Sequence, residues 1–351
     1  MPRVIGIDPG TKSFDLFGLD DERIILDVSI PTKEIASNPE SVIDVLNIDP
    51  DLIVGPSGYG IPLKRISDIT DRDIFLMSLV RTDDKRSILG MRRCIEILKK
   101  HDLPVCFIPG VIHLPTVPSY RKINRIDMGT PDKLCSCALG IRDQALRSGI
   151  DYDQTSFILL EIGFAHTAAI AVDAGMIVDG IGGSSGGIGF LSMGAMDAEL
   201  AYLIRGFEKE FMIGRGARSL AGDDIMPEDI ARYDDARCAL IEGAIKNVLA
   251  LTASLTPEEV LLSGRLSGIP EIRDELIERL GVIAPVRLLK GFSGVKIAKK
   301  SAQGAALIAN GLFRGRYEDL VQTMRINEAR GTVLDYVPPE CANLSYSMEY
   351  E

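Results

Sequence analysis

The stretch Val4-Ile5-Gly6-Ile7-Asp8-Pro9-Gly10-Thr11-Lys12-Ser13, continued by Phe14-Asp15-Leu16-Phe17-Gly18-Leu19-Asp20, decides how the chain is read. An apolar run ends on a carboxylate, a Pro-Gly-Thr-Lys segment reverses direction, and Phe14, Leu16 and Gly18 share one face of a returning strand. Gly10 has no side chain to keep backbone N–H groups from an anion, and Thr11, Lys12 and Ser13 add donors around it. Asp8 is placed to hold a hydrated cation opposite them. The set suits a metal-bound polyphosphate. An ordinary N-terminal turn is the alternative reading of the same residues.

Working outward, a third strand is expected over 23–30 and a helix over 39–47, with Asn38 as N-cap and Pro39 in the first helical position. A buried strand over 51–55 leaves through a Gly- and Pro-rich loop, 55–62, able to line a cleft. An amphipathic helix over 85–100, a strand over 103–108 and a helix from Thr130-Pro131-Asp132-Lys133 to about 147 complete the first half.

The second half repeats this order. Strands are expected over 157–161, 166–172 and 176–179, helices over 193–206 and 237–253, then a strand over 260–263, a helix over 269–280, a strand over 282–288 and a helix over 299–312. Such a duplication predicts two similar lobes facing each other across a cleft. The lobes are placed at 1–150 and 151–320, with an insertion at about 206–236 and an extension at 321–351. The second hairpin, Leu159-Leu160-Glu161-Ile162-Gly163-Phe164-Ala165-His166-Thr167, again sets a carboxylate at a strand end, then glycine, then Thr on the return. Two facing hairpins of this kind can grip a nucleotide's phosphates and its Mg²⁺ from both sides.

At these residues the chain resembles the actin-like ATPase superfamily, which includes sugar kinases, heat-shock ATPases and acetate kinase. The 5–12 and 159–167 stretches resemble its two phosphate motifs, Val260-Leu261-Leu262-Ser263-Gly264-Arg265-Leu266-Ser267-Gly268 its adenosine motif, and 301–311 its closing helix. The resemblance implies an α/β, duplicated ribonuclease H-like fold with a central interlobe cleft, and ATP and Mg²⁺ as cofactors. It implies Asp8 and Glu161 as metal ligands, with Gly10, Thr11, Lys12, Ser13, Gly163, His166, Thr167, Gly264, Arg265 and Gly268 around the nucleotide. Within the superfamily the chain looks most like archaeal proteins predicted to be butyrate kinases. That likeness rests on 179–192, whose Gly182, Gly183 and Ser184 join the nucleotide set, and on Met193-Gly194-Ala195-Met196-Asp197. Four departures stand out. Asp8 takes the place of an acyl-kinase Asn, Glu161 that of an Asp, and Phe164, Ala165 and His166 stand where glycines are common. The acyl-kinase aspartate has no counterpart in 107–116.

The segment Pro115 through Thr130 is long and cationic and leads into a helix N-terminus, so it reads as a substrate-side loop or as a solvated connector. Arg121, Lys122 and Arg125 are its candidates for neutralising a carboxylate or a transferring phosphoryl, and Asp127 and Asp132 its acid/base candidates. With 351 residues, 46% of them hydrophobic, there is ample core for two domains. A net charge of -11 without a dense basic block excludes nucleic acid and anionic membrane as natural partners. Six cysteines without a Cys-x-x-Cys pair, and no secretory leader or spanning stretch, fit a reduced cytoplasm. The expected function is an ATP-dependent phosphotransferase acting on a small anionic substrate, most specifically a carboxylate as in a butyrate kinase. The alternatives are a catalytically silent nucleotide-binding sensor or scaffold and a small-polyol kinase. A homodimer is expected by analogy with acyl kinases.

Overall fold

A computed structural model describes residues 2–46, 48–55, 57–80, 89–222 and 224–339, with 89–91 by backbone alone. The expected helical start at 85–88, Pro56, the helix end at Asn47, Asp223 and the extension beyond 339 lie outside the described residues. The first half runs β1 (Arg3–Pro9), β2 (Ser13–Asp20), β3 (Arg23–Pro31), α1 (Thr32–Ser37), α2 (Ser41–Leu46), β4 (Leu52–Val54), β5 (Lys64–Arg65), α3 (Asp71–Ser78), α4 (Leu89–Lys100), β6 (Val105–Phe107), α5 (Ser119–Lys122) and α6 (Pro131–Ser148). The second runs β7 (Phe157–Ile162), β8 (Thr167–Asp173), β9 (Met176–Ile181), α7 (Ala198–Ile204), α8 (Asp234–Leu251), β10 (Val260–Ser263), α9 (Pro270–Leu280), β11 (Val286–Leu288), α10 (Lys300–Leu312) and α11 (Glu318–Thr323).

Two sheets result, ordered β3-β2-β1-β4-β6-β5 and β9-β8-β7-β10-β11. The same plan underlies both. A meander of three antiparallel strands is extended from its first strand by parallel pairing, Ile5 beside Ile53 in one sheet and Leu160 beside Leu262 in the other. Each meander even slips register once between its second and third strands, at Gly18/Leu19 and at Ala171/Val172. The fold is thus the duplicated, two-lobed α/β architecture that the repeated pattern predicts.

Strand β7 shows how one sequence serves two cores. Its alternate residues Phe157 and Leu159 join the core containing β1, α6 and α10, while Ile158, Leu160 and Ile162 join a second core under α8 and α9. That period of two on a strand buried on both faces is what a central parallel pairing requires.

Helices α6 and α10 tie the lobes together. Helix α10 follows the second sheet in sequence but packs on β1, β2 and β4 of the first, and α6 packs against α10, β7 and β8. Their crossing is made by glycine. A Cβ on Gly304 would lie 1.8 Å from the Cys135 carbonyl oxygen, and one on Gly6 would lie 2.3 Å from both Ala302 O and Ala306 N. Gly140 likewise leaves room for the Phe157 ring, 2.7 Å from where its Cβ would stand.

Several boundaries differ from the sequence reading. The 39–47 helix shortens to α2, an additional helix α1 precedes it, and Asn38 closes α1 by donating its N–H to Glu34 O at 2.7 Å instead of opening a helix at Pro39. The 282–288 strand shrinks to β11, and the 193–206 helix begins only at Ala198, where Asp197 accepts from the Glu199 N–H at 2.8 Å. Helix α3 had no apolar stripe to reveal it, yet Thr70 and Asp73 form a capping box at its start. No helix among the described residues is long and apolar enough to cross a membrane.

Replacing Gly304 by Ala should destabilise the protein by about 3 kcal/mol or prevent folding, because the added methyl meets backbone on a second helix. Gly214→Ala, whose nearest neighbour would be 3.9 Å away, should stay within about 0.5 kcal/mol of the parent. Urea denaturation of the two variants checks the contrast, and equal midpoints would rule out a close-packed crossing.

Candidate functional site

The two hairpin turns are copies in hydrogen bonding as well as in sequence. In the first, the Gly10 N–H donates to Ser13 O at 3.0 Å; in the second, the Gly163 N–H donates to His166 O at 2.9 Å. In each, the acid stands two residues before that glycine, at the end of its lobe's first strand. The N–H groups of Thr11, Lys12 and Phe164, at the turn tips, meet no acceptor among the described residues. Both turns line one cavity of about 920 Å³ between the lobes, together with the N-termini of α6 and α10. Unpaired amides and two positive helix ends converging on one space favour an anion there.

Asp8 and Glu161 both line this cavity and both are buried. Asp8 sits directly across the hairpin from Asp15, and Lys299 answers the pair, with Nζ at 2.7 Å from Asp15 and 3.6 Å from Asp8. Burial pushes the Asp8 carboxyl up to about 6, against the pull of Lys299 and with a further push from Asp132. Glu161 is engaged differently. Lys133 Nζ lies 3.1 Å from Oε1, while Oε2 accepts from Ser136 at 2.7 Å and from Ser263 at 3.3 Å. Burial opposes the charge on Lys133, but Asp132, Glu161 and Asp8 outweigh it and hold the ammonium protonated. For Asp132 the penalty of burial is likewise overcome, by its contact with Lys133 and the Thr130 hydroxyl, and its carboxyl stays below the usual range. His166 lines the same wall; burial first and Lys133 second lower its pKa, which keeps it neutral at pH 7.

Other expected residues fall into two groups. Gly10, Thr11, Lys12, Ser13, Gly163, Gly183, Ser184, Gly264, Arg265, Gly268 and Asp127 line the cavity. Asp127 is buried and fully engaged, accepting from the Gly129 N–H at 3.0 Å and from the N–H and hydroxyl of Ser184 at 3.1 and 3.2 Å. Gly182 and Thr167 are not brought to the cavity. A Cβ on Gly182 would strike the Asp127 carboxylate at 1.9 Å, so that glycine serves packing, and Thr167 is wholly buried with its hydroxyl unpartnered.

Arg121 and Lys122 are a correction, since neither reaches the cleft. Arg121 donates to Val178 O at 2.7 Å, and Lys122 is buried and donates to Leu114 O at 2.8 Å. The reason is topological. Strand β9 is the edge of its sheet, and its open carbonyls take Arg121 and, at Ile177, the Thr116 hydroxyl at 2.6 Å. Arg125 also turns to backbone, at Ser185 O, 3.2 Å away. The cationic segment covers a sheet edge.

Lys133 and Lys299 were missed. Both stand at helix starts, Lys133 in the first turn of α6 and Lys299 at the N-cap of α10, where the helix dipole disfavours a cation. That mismatch is the signal in the sequence that could have found them. Tyr59, Met77, Val80 and Ile108 of the first lobe and Met212 and Ile213 of the 205–233 segment form an apolar side of the cavity. Lys209 reaches over the Tyr59 ring at 5.0 Å. Among the described residues no group of three or more His, Cys, Asp or Glu could cage a metal. Mg²⁺ keeps several waters and is held by one or two carboxylates with phosphate oxygens, and Asp8 is a carboxylate lining the cavity that could take that part.

The chain belongs to the family described as "Protein of unknown function (DUF1464)", whose profile matches residues 6–338. No curated protein matches it in sequence. Its fold is similar to that of acetate kinase from Porphyromonas gingivalis, at a TM-score of 0.59 and 12% identity over 87% of this chain and 98% of the other. A propionate kinase from Francisella tularensis subsp. tularensis SCHU S4 gives 0.58, 12%, 87% and 98%, and acetate kinase from Entamoeba histolytica 0.57, 12%, 80% and 86%. These likenesses show the two-lobed fold that the chain shares with those proteins.

The raised Asp8 pKa fixes a pH dependence. In the folded chain Asp8 favours its protonated form, so its contribution to stability is fully present below about 3.8 and is lost as pH rises through about 6. Asp8→Asn should therefore be more stable than the parent by about 1–3 kcal/mol at pH 7.5, with the gap closing towards pH 4. Urea denaturation across that range measures the gap, and a pH-independent difference would show that Asp8 is not held in a desolvated site.

Proposed function

We propose that this member of a family of unknown function is an ATP- and Mg²⁺-dependent phosphotransferase whose acceptor is a small carboxylate with a short apolar tail. One observation carries the reading: two copies of an acid-tipped turn, with unpaired N–H groups at their tips, line a single cavity with the N-termini of two helices. Donors fixed in place around a polyphosphate stabilise charge in the transition state without reorganising. Mg²⁺ bound at Asp8, through water and phosphate oxygens, would neutralise charge on the transferring group. The nucleoside would lie along Gly264, Gly268, Leu288 and Leu289. There Gly264 has φ +89, and a Cβ on it would stand 2.4 Å from Ile162 O, while Gly268 faces open space.

The acceptor would occupy the apolar side formed by Tyr59, Met77, Val80 and Met212. An ionised carboxylate is already a nucleophile, so its attack on the γ-phosphoryl asks for no general base. This accords with the engagement of Asp127 by Ser184 and Gly129. Alignment of the two reactants in one cavity would supply the remaining rate.

Calorimetric titration with Mg·ATP should show saturable binding. Trapping with hydroxylamine should then detect an acyl phosphate formed from a short-chain acid, butyrate among those tested. Asp8→Ala should lower turnover by about 10²–10³ with unchanged circular dichroism. If ATP binds and neither acids nor polyols are phosphorylated, the chain is a nucleotide sensor. If ATP does not bind at all, the nucleotide reading fails.

A further inference from the structure

The two acid-tipped turns differ in one chemical respect. Among the described residues Asp8 has one cation within 4 Å, Lys299 at 3.6 Å, which lies closer to Asp15 at 2.7 Å, and it feels Lys133 only at longer range. Glu161 is held at both oxygens, by Lys133 at one and by Ser136 and Ser263 at the other. Lys133 is also in contact with Asp132, and its side chain is only 12% exposed. Its place in the first turn of a helix of 18 residues is electrostatically unfavourable without those carboxylates.

We infer that Lys133 is a tethered cation that occupies the place of a divalent ion at Glu161, so that divalent binding rests on Asp8 and the second turn's acid is not a metal ligand. The physical case is direct. A metal approaching Glu161 would have to displace an ammonium 3.1 Å from one oxygen and two hydroxyl donors from the other, and the displaced charge could not leave because α6 carries it. It stands against the expectation that both acids hold one Mg²⁺. It also places a buried positive charge beside the second phosphate turn, in a cavity that Asp127 and Asp132 line as well. The inference deepens the phosphotransferase reading and rests on it only for what the charge is used for.

The test is made on the full chain without nucleotide, so that it stands apart from ATP binding. Mn²⁺ binding is followed by electron paramagnetic resonance, and thermal unfolding is followed with and without 10 mM Mg²⁺ (roughly the level needed for a weak, mostly hydrated site). Lys133→Met should bind Mn²⁺ at least about tenfold more tightly than the parent, because Glu161 and Asp132 are released. Adding Glu161→Gln to it should return the affinity to the parent value. Glu161→Gln alone should change the parent affinity less than about threefold. The midpoint of Lys133→Met should rise more on adding Mg²⁺ than that of the parent, a response that a purely structural lysine would not produce. Lys133→Gln serves if the Met variant folds only in Mg²⁺, and such metal-dependent folding itself supports the inference. Unchanged Mn²⁺ affinity in both Lys133 variants, or a loss in Glu161→Gln as large as in Asp8→Asn, would overturn it. Absent ATP binding in calorimetry would remove the kinase reading and leave this result standing.

Discussion

The structure depends on a backbone-to-backbone contact between α6 and α10. Gly304 lets the second helix approach the Cys135 carbonyl, and Gly6 lets that same helix settle on the central strand of the first sheet. Interiors are packed to crystal-like density, so a contact of this kind has almost no adjustable slack. Two helices locked at this crossing present their N-termini to the same cavity, at Pro131 to Lys133 and at Ala298 to Ser301. Where the two helix N-termini point is therefore decided by packing in the core beside the cavity, at Cys135.

Charge arrangement follows from that placement. Asp8 and Asp15 face each other across the hairpin, a like-charge pair that is unfavourable in register, and Lys299 offsets it from the start of α10. Glu161 and Asp132 are offset in the same manner by Lys133 at the start of α6. Each lobe thus takes its balancing lysine from the N-terminus of a crossing helix. Desolvation still dominates at Asp8, which is why its carboxyl is raised while the neighbouring lysines remain charged.

Much of this could be read from the amino-acid order. Period-two alternation, acids at strand ends and the recurrence of the same element sequence were enough to place two lobes and a cleft, since these features are local and repeat. What could not be read was set by distant partners. Arg121 and Lys122 looked like phosphate ligands because cations in a loop usually meet solvent or anions; the need of β9's open edge for donors is invisible until the sheet order is known. Gly182 looked like a backbone approach for phosphate, whereas the group approaching it is the Asp127 carboxylate. Lys133 and Lys299 were legible only as violations of the helix-dipole preference, and a violation names a tension without naming what relieves it.

The second turn shows how far a phosphate hairpin can depart from the pattern it resembles. Glycine is common where Phe164 stands, because a turn usually needs the freedom. Here the turn is closed by the bond from Gly163 to His166, which leaves position 164 free to carry a ring. That ring receives Lys12 from the first turn at 5.1 Å and Arg265 from the adenosine-like loop at 5.6 Å. Cation–ring contacts of this size are each modest, about 0.5–2 kcal/mol, but these two bring three separate cavity-lining segments onto one side chain. Since Lys12 belongs to one lobe and Phe164 to the other, the contact also joins the lobes at the mouth of the cavity. An anion drawn between the turns would compete for Lys12, so the aromatic ring and the ligand pull on the same charge.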